Sequence, residues 1–463
     1  MSQQELKAIT GEEKFINVNP QISYFKSVHK RHTNFSKEYR VIDRENLDNS
    51  LAFNTQYNYV IRQEGDLLNK CFFEVVISGT SADENGYTVD HFGHSLFKEM
   101  RFKIGDITID THTSKWLQVS SELMDTHYKY PHMYQGASDT TKGGLNEIKT
   151  GNTSDNFNRS ELHISRRMNG DYPLLFGGQT PSRNYAFGEK YYKKFFIPLK
   201  FFFNKDLSNS LPLCALHIPQ IKIEVDIETQ ANLIGDASTI TLEELTLYGE
   251  FIHLDTDEKR RFMNSTLTYL VETVQRQEVV LSNSVTQNTN YSSGYANALD
   301  KPVIPRFEIP MNDFKHPVKY LTWVVHNTSS GGPCYFMSMI SSSDYGNDGV
   351  HGTFTIELNG DSKERELPLA LFTRQTLRQH CNYIPDLDRI GLYSFALNPF
   401  DSQPSGTCNF SIFSNNNKSL FLKLANEAVD GNNSVLAEKT LHLFAVSYNI
   451  FRVMSGLGGL VFI

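Results

Sequence analysis

The sequence predicts an all-β protein in which one antiparallel domain occurs twice, and three observations carry the prediction. The first is period-2 patterning: in IKIEVDIE, Ile221, Ile223, Val225 and Ile227 fall on one side of an extended chain and Lys222, Glu224, Asp226 and Glu228 on the other, as in a half-buried antiparallel strand. The second is the aromatic content, 32 Phe and 22 Tyr against 2 Trp, which suits pleated, half-buried surfaces. The third is a repeated order of elements. RFKIGDITID, with a turn at Gly105-Asp106, leads into SKWLQVSSELM, a polar insertion and the paired strands of FFIPLKFFF and ALHIPQIKIEVDIE. FTIELNGDSKERE, with a turn at Asn359-Gly360-Asp361, leads into LALFTRQTLRQ, IGLYSFALNP, NFSIF and SLFLKLAN. A short glycine turn between alternating runs is a hairpin signal, and its recurrence with the same successors points to duplication of one domain.

Taken in chain order, the alternating runs predict strands near 71–78, 100–104, 107–110, 221–228, 239–247, 320–326, 353–358, 419–424 and 441–453. Helices are few and short, at 114–124, 257–263 and 369–378. In LDTDEKRRFMNS, Asp255 caps a helix and Glu258 reaches back to it, while Lys259, Arg260 and Arg261 complement the dipole toward its C-terminal end. The boundary between the two halves falls there. Asp255, Asp257 and Glu258 also read as paired carboxylates for acid–base work, but capping accounts for each charge. The segment 126–184, rich in Gly, Asn, Ser and Thr, is longer than a compact domain needs and reads as an exposed functional surface or as a tolerated excursion. The stretch YSFALNPFDSQPSGTCNFS reads as strand, corner, strand, with Asn398-Pro399 and Gln403-Pro404-Ser405-Gly406 as breakers.

A chain of 463 residues exceeds one hydrophobic core, and two large domains fit it best. With 39% hydrophobic and 21% charged residues, it has the composition of a globular protein. The net charge of -8 argues against binding nucleic acid along its whole length. Five widely spaced cysteines, Cys71, Cys214, Cys334, Cys381 and Cys408, lack CxxC spacing and suit a reducing compartment. MSQQELKAITGEEKF has no apolar core of a signal peptide, and FFIPLKFFF and LGGLVFI are too short to span a bilayer.

Each candidate for chemistry has a structural explanation. His91 and His94 in HFGH would point to opposite faces of a strand, which disfavours a metal pair. His112 in THTSKW stands without the further His and acidic ligands that a cupin-type metal site requires. No HExxH, GxSxG or GxxxxGK[ST] occurs, and Ser455-Gly456-Leu457-Gly458-Gly459 reads as a terminal turn rather than a nucleotide loop. No catalytic, cofactor-binding or metal residue is therefore assigned, and no cofactor is expected. FKSVHKRHTNFSKEYR, at 25–40, sets Lys26, Lys30, Arg31, Lys37 and Arg40 against the single acid Glu38. It reads either as contact with nucleic acid, anionic lipid or an acidic partner, or as a strand edge guarded by cations. The triplets Asn152-Thr153-Ser154, Asn264-Ser265-Thr266 and Asn409-Phe410-Ser411 are weak evidence for glycosylation.

The stretch LYSFALNPFDSQPSGTCNFS resembles a signature of the major capsid proteins of nucleocytoplasmic large DNA viruses. NPQISYFKSVHKRHTNFSKE at 19–38, FIHLDTDEKRRF at 251–262 and YNIFRVMSGLGGLVF at 448–462 resemble the same family, in order along nearly the whole chain. Between 126 and 191 no match is visible, and GHSLFKEMRFKIGDITIDTHTSKWLQV is similar in pattern but divergent in residues. The resemblance implies a double jelly roll, two consecutive eight-stranded antiparallel units. It divides the chain into an arm at 1–26, a first roll at 27–256 with the exposed loop 126–184, and a second roll at 257–463. It places the QPSG corner at a rim, anchored by Tyr393, Phe395, Leu397, Cys408 and Phe410.

The implied function is structural: homotrimeric, pseudo-hexagonal capsomers tiling the icosahedral shell of a large double-stranded DNA virus, with no enzymatic activity. The implied partners are further copies of the chain, minor capsid and penton proteins, and an internal membrane or acidic partner for the basic segment, with no specific nucleic-acid recognition. The implied location is the virion, after assembly in the host cell cytoplasm. The competing reading is a carbohydrate-binding spike or lectin-like double sandwich, with tyrosines of YKYPHMY at 128–134 stacking on sugar rings.

Overall fold

The computed structural model describes residues 18–27, 29–45, 51–81, 92–124, 191–234, 238–281, 306–327, 336, 352–362, 366–381, 389–413, 418–423 and 439–462. The loop at 126–184, the YKYPHMY stretch, His91, Cys334 and the Asn152 triplet lie outside them.

The first eight strands are β1 Phe35–Ile42, β2 Gln56–Ile61, β3 Leu67–Ser81, β4 Phe97–Ile104, β5 Ile107–Thr113, β6 Tyr191–Pro198, β7 Ile221–Ile227 and β8 Ser238–Leu254. They form two four-stranded sheets ordered β1-β8-β3-β6 and β2-β7-β4-β5, with every pairing antiparallel. The chain passes from one sheet to the other at nearly every connection, which is the jelly-roll path. β7 shows why these residues make strands. Ile221, Ile223, Val225 and Ile227 are buried while Lys222, Glu224 and Asp226 are not, so a period of two delivers one apolar face to the space between the sheets. There Phe73 packs on Tyr59 at 5.2 Å and on Phe97 at 5.1 Å between ring centroids.

The second roll comprises β9 Leu267–Leu281, β10 Arg306–Pro310, β11 Pro317–Asn327, β12 Thr353–Leu358, β13 Asp361–Ser362, β14 Leu367–Pro368, β15 Ile390–Ser394, β16 Cys408–Asn409, β17 Lys418–Lys423, β18 Lys439–Met454 and β19 Leu457–Leu460. One sheet runs β9-β18-β11-β15, with β16 beside β11 and β19 beside β18; the other runs β10-β17-β12-β13, with β14 on β12. This is the order of the first roll again: β9, β18, β11 and β15 stand where β1, β8, β3 and β6 stood. Its core stacks Trp323 on Phe354 at 4.5 Å and 5°. The hairpin turns expected at Gly105 and at Asn359-Gly360 are present, with φ of 61° at Gly105, 61° at Asn359 and 79° at Gly360, the left-handed values such turns require.

Two helices are placed as the sequence predicts: α1 Ser114–Met124 and α2 Thr256–Asn264. The third, expected at 369–378, is a π-helical turn at Leu371–Gln375 continued by an α-turn at Thr376–His380. Several expectations need correction. FFIPLKFFF is not one strand: β6 ends at Pro198 and Phe202–Lys205 is a helical turn, because that curl lets the consecutive Phe201, Phe202 and Phe203 all enter the core. NFSIF is a two-residue strand followed by a 3-10 turn at Phe410–Ile412. Phe92–Ser95 is a helical turn, not a strand approach, and His94 is buried in it.

Candidate functional site

The two rolls meet along a seam built from helix, ion pairs and strand ends. α1 leaves the first roll after β5, and its turns divide their side chains between two cores. Leu117 enters the first roll, whereas Trp116, Val119 and Leu123 join Tyr320, Val324, Phe444 and Val446 on the outer face of the β9-β18-β11-β15 sheet. Trp116 and Phe444 lie 5.4 Å apart. This cover explains why β18 reads as an almost continuous buried run: one face meets the second core and the other meets the helix of the first roll. From the other side, Val271, Phe451 and Val453 of the second roll pack into the first core, and Ile218 N–H donates to Gly456 O at 3.3 Å.

Charge is placed along the same seam. Lys319, 1% exposed, lies 2.5 Å from Glu272 Oε1, and Lys205 of the first roll lies 2.9 Å from Glu272 Oε2. Burial pushes the Glu272 carboxyl up, but the two ammonium groups outweigh it and hold the group below its ordinary value. Lys319 Nζ also donates to Asp401 O at 2.5 Å. His112 is not alone, contrary to the expectation. Its Nε2 lies 3.0 Å from Asp110 Oδ2, both side chains are buried, and the ring stacks on Phe201 at 4.6 Å. Asp110 Oδ1 accepts from Thr111 N–H at 2.9 Å and from Val274 N–H of the second roll at 3.3 Å. The spacing of two along a strand already puts Asp110 and His112 on one face, and that was the available signal.

The linker helix behaves as a strut. Asp255 accepts from Thr256 N–H at 2.8 Å, one position into the helix, while Glu258 Oε2 is buried and accepts no hydrogen bond. Lys259 turns instead to Asp66, 2.7 Å away. Asp66 is buried, which raises its carboxyl, but Lys259 and the Leu254 N–H lower it by more.

The corner at 393–411 also belongs to the seam. Asn398 N–H donates to Ser405 Oγ at 2.9 Å and Leu397 N–H to Ser405 O at 3.3 Å, and Phe400 packs on Tyr320 at 5.3 Å. Tyr393, Phe395 and Cys408 lie against the second core and Phe410 is buried in it. Leu397 is not an anchor: it is 79% exposed, because the turn closed by Ser405 swings it outward.

The remaining candidates are dispersed. Of the basic run, Lys37 and Arg40 lie on β1, an edge strand, where they pair with Glu250 at 2.8 Å and Glu38 at 2.7 Å; Lys26, Lys30 and Arg31 lie on the exposed approach to it. The Ser455-Gly456 pair is the β18–β19 hairpin turn. Asn409 spends its side chain accepting from Ser411 N–H at 3.0 Å. The four described cysteines are free thiols, and burial pushes Cys71 up to about 12 and Cys214 up to about 11. Among the described residues no group of three or more His, Cys, Asp or Glu is arranged to hold a metal, and no helix is long and apolar enough to cross a membrane.

Two jelly rolls whose principal strands repeat one order, joined by a helix and ion pairs, make a double jelly roll. The family model "Major capsid protein N-terminus" matches residues 23–260 and "Large eukaryotic DNA virus major capsid protein" matches residues 258–459. The chain belongs to this family, the major capsid proteins of large eukaryotic DNA viruses. It is 29% identical to the major capsid protein of Pyramimonas orientalis virus, over 99% of this chain and 98% of the relative. It is 26% identical to that of Paramecium bursaria Chlorella virus 1, again over 99% and 98%. Among solved structures it is similar to PBCV-1 VP54, fitted into a reconstruction of the virophage Sputnik, with a TM-score of 0.67, 25% identity and coverage of 95% of this chain and 100% of that one. The Faustovirus major capsid protein shares the fold at a TM-score of 0.61 and 12% identity, over 94% and 92% of the two chains.

Proposed function

We propose that this chain works by geometry alone, without catalysis, as the repeating subunit of an icosahedral capsid. Three copies would form a capsomer in which six similar rolls surround one axis, giving a pseudo-hexagonal outline that tiles flat facets. The observation that carries this reading is the repetition of one strand order in both rolls, packed side by side along a shared seam. Closed cyclic symmetry is the ordinary way for such units to satisfy their remaining faces. The working units are an arm at 1–26, a first roll at 27–256 and a second at 257–463. The loop at 126–184 would face the virion exterior. The basic N-terminal segment would face the base, toward minor capsid or penton proteins or an internal membrane, after assembly in the host cytoplasm. The test is the mass of the purified protein by light scattering. About three times the 52.8 kDa chain is the expected result; a folded monomer at high concentration would overturn the reading.

A further inference from the structure

A polar cluster continues the patch that α1 covers on the outer face of the β9-β18-β11-β15 sheet. Phe444 of β18 meets Trp116 of α1. Two positions earlier on the same face stands His442, level with Val324 on β11 and with Glu278 on β9. His326, two positions beyond Val324, completes the cluster: the two imidazole rings are 5.9 Å apart between centroids, and both side chains are buried.

The hydrogen bonding of His442 fixes its proton. Nδ1 lies 3.3 Å from Glu278 Oε1; a carboxylate only accepts, so Nδ1 carries the proton of the neutral ring. Nε2 is buried with no hydrogen-bond partner. A lone pair is tolerable there, whereas a second proton would make a buried, charged donor with nothing to accept it. The charges around the ring point the same way. Among the described residues, Lys115 of α1, Arg276 and Glu278 of β9 and His326 of β11 face it, and β18 itself presents Thr440 and Phe444 on either side. Arg276 is in turn tied to Glu99 of the first roll at 3.7 Å, so the cluster spans the seam. Burial lowers the His442 imidazole most; Glu278, itself half-exposed, opposes it, Lys115 and Arg276 reinforce it, and the ring stays below the ordinary histidine value.

We propose that His442, with His326 beside it, is an acid-sensitive latch between the two rolls: the neutral ring lets α1 lie over the second roll, and protonation at Nε2 sets an unpaired cation beside Lys115 and Arg276 and loosens the helix from the sheet. A histidine whose folded value is lowered contributes stability above its unfolded value, about 6.5, and loses it as pH falls from there toward the folded one. That window lies above the one in which carboxylates take up protons, below about 4.5, so the two responses separate. The latch works within one chain and does not depend on how copies assemble.

The experiment follows amide hydrogen exchange in α1 and β18 of the full-length chain from about pH 7.5 to about pH 5, corrected for the intrinsic pH dependence of exchange. Opening of α1 takes up one proton, so it is expected to rise by up to about tenfold per pH unit below about 6.5. His442→Gln, which keeps a polar side chain but does not titrate, is expected to flatten that rise, with circular dichroism as the folding control. Exchange of the imidazole C2 hydrogen reads each histidine in the unaltered chain and is expected to place His442 below the ordinary value, so the inference stays testable even if the variant does not fold. Unchanged protection of α1 across the range, a folded His442→Gln chain that keeps the full rise, or a His442 that titrates at or above the ordinary value each overturns the latch.

Discussion

Individual residues are decided by what faces them. Gly391, on β15, lies opposite Trp323 on β11; a Cβ added there would come within 2.2 Å of the Trp323 ring. The indole uses the space to stack on Phe354 at 4.5 Å. Gly391→Ala is therefore expected to destabilise the second roll by about 1–3 kcal/mol through overpacking, read as a lower midpoint in urea unfolding; an unchanged midpoint would show that the ring shifts freely. Sequence alone marks a glycine inside an apolar run as a close approach, but not which ring approaches.

At the scale of elements, α1 does the joining. Its position was legible because SKWLQVSSELM carries apolar residues at helical spacing, and its boundaries match the structure. Its second partner was not legible, since the residues it covers lie some two hundred or more positions further along the chain. Trp116→Ala removes the side chain that fills the seam, and truncating a buried tryptophan costs about 3–5 kcal/mol. Because Trp116 touches the second roll, the loss should appear as earlier exposure of β11 and β18 amides in hydrogen exchange. Protection lost only within 114–124 would contradict the assignment of the helix as a weld.

Across the whole molecule, the seam couples stability to acid. Asp66 and Glu272 are both held below the ordinary carboxylate value. A group with a lowered folded value contributes stability above its unfolded value and loses it as pH falls through the lowered one. The chain is thus expected to weaken as pH drops below about 4.5, and Glu272→Gln should flatten that part of the profile. At neutral pH the same substitution leaves the buried Lys319 without its carboxylate, at a cost of about 3 kcal/mol. A variant as stable as the parent at neutral pH, with an unaltered acid profile, would refute the role of Glu272.

By itself the sequence determined the all-β class, the duplication, the turns at Gly105 and Asn359-Gly360, the helices α1 and α2, and the family, because each rests on local periodicity, turn chemistry or contiguous motifs. Tertiary structure alone decided the curl at Phe201–203, the exposure of Leu397, the Asp110–His112 pair's reach to Val274 and the Lys205–Glu272–Lys319 triad. Those depend on which distant strands become neighbours. A one-dimensional pattern specifies that a side chain is buried, whereas its partner is chosen by the crossovers of the two rolls and the seam between them.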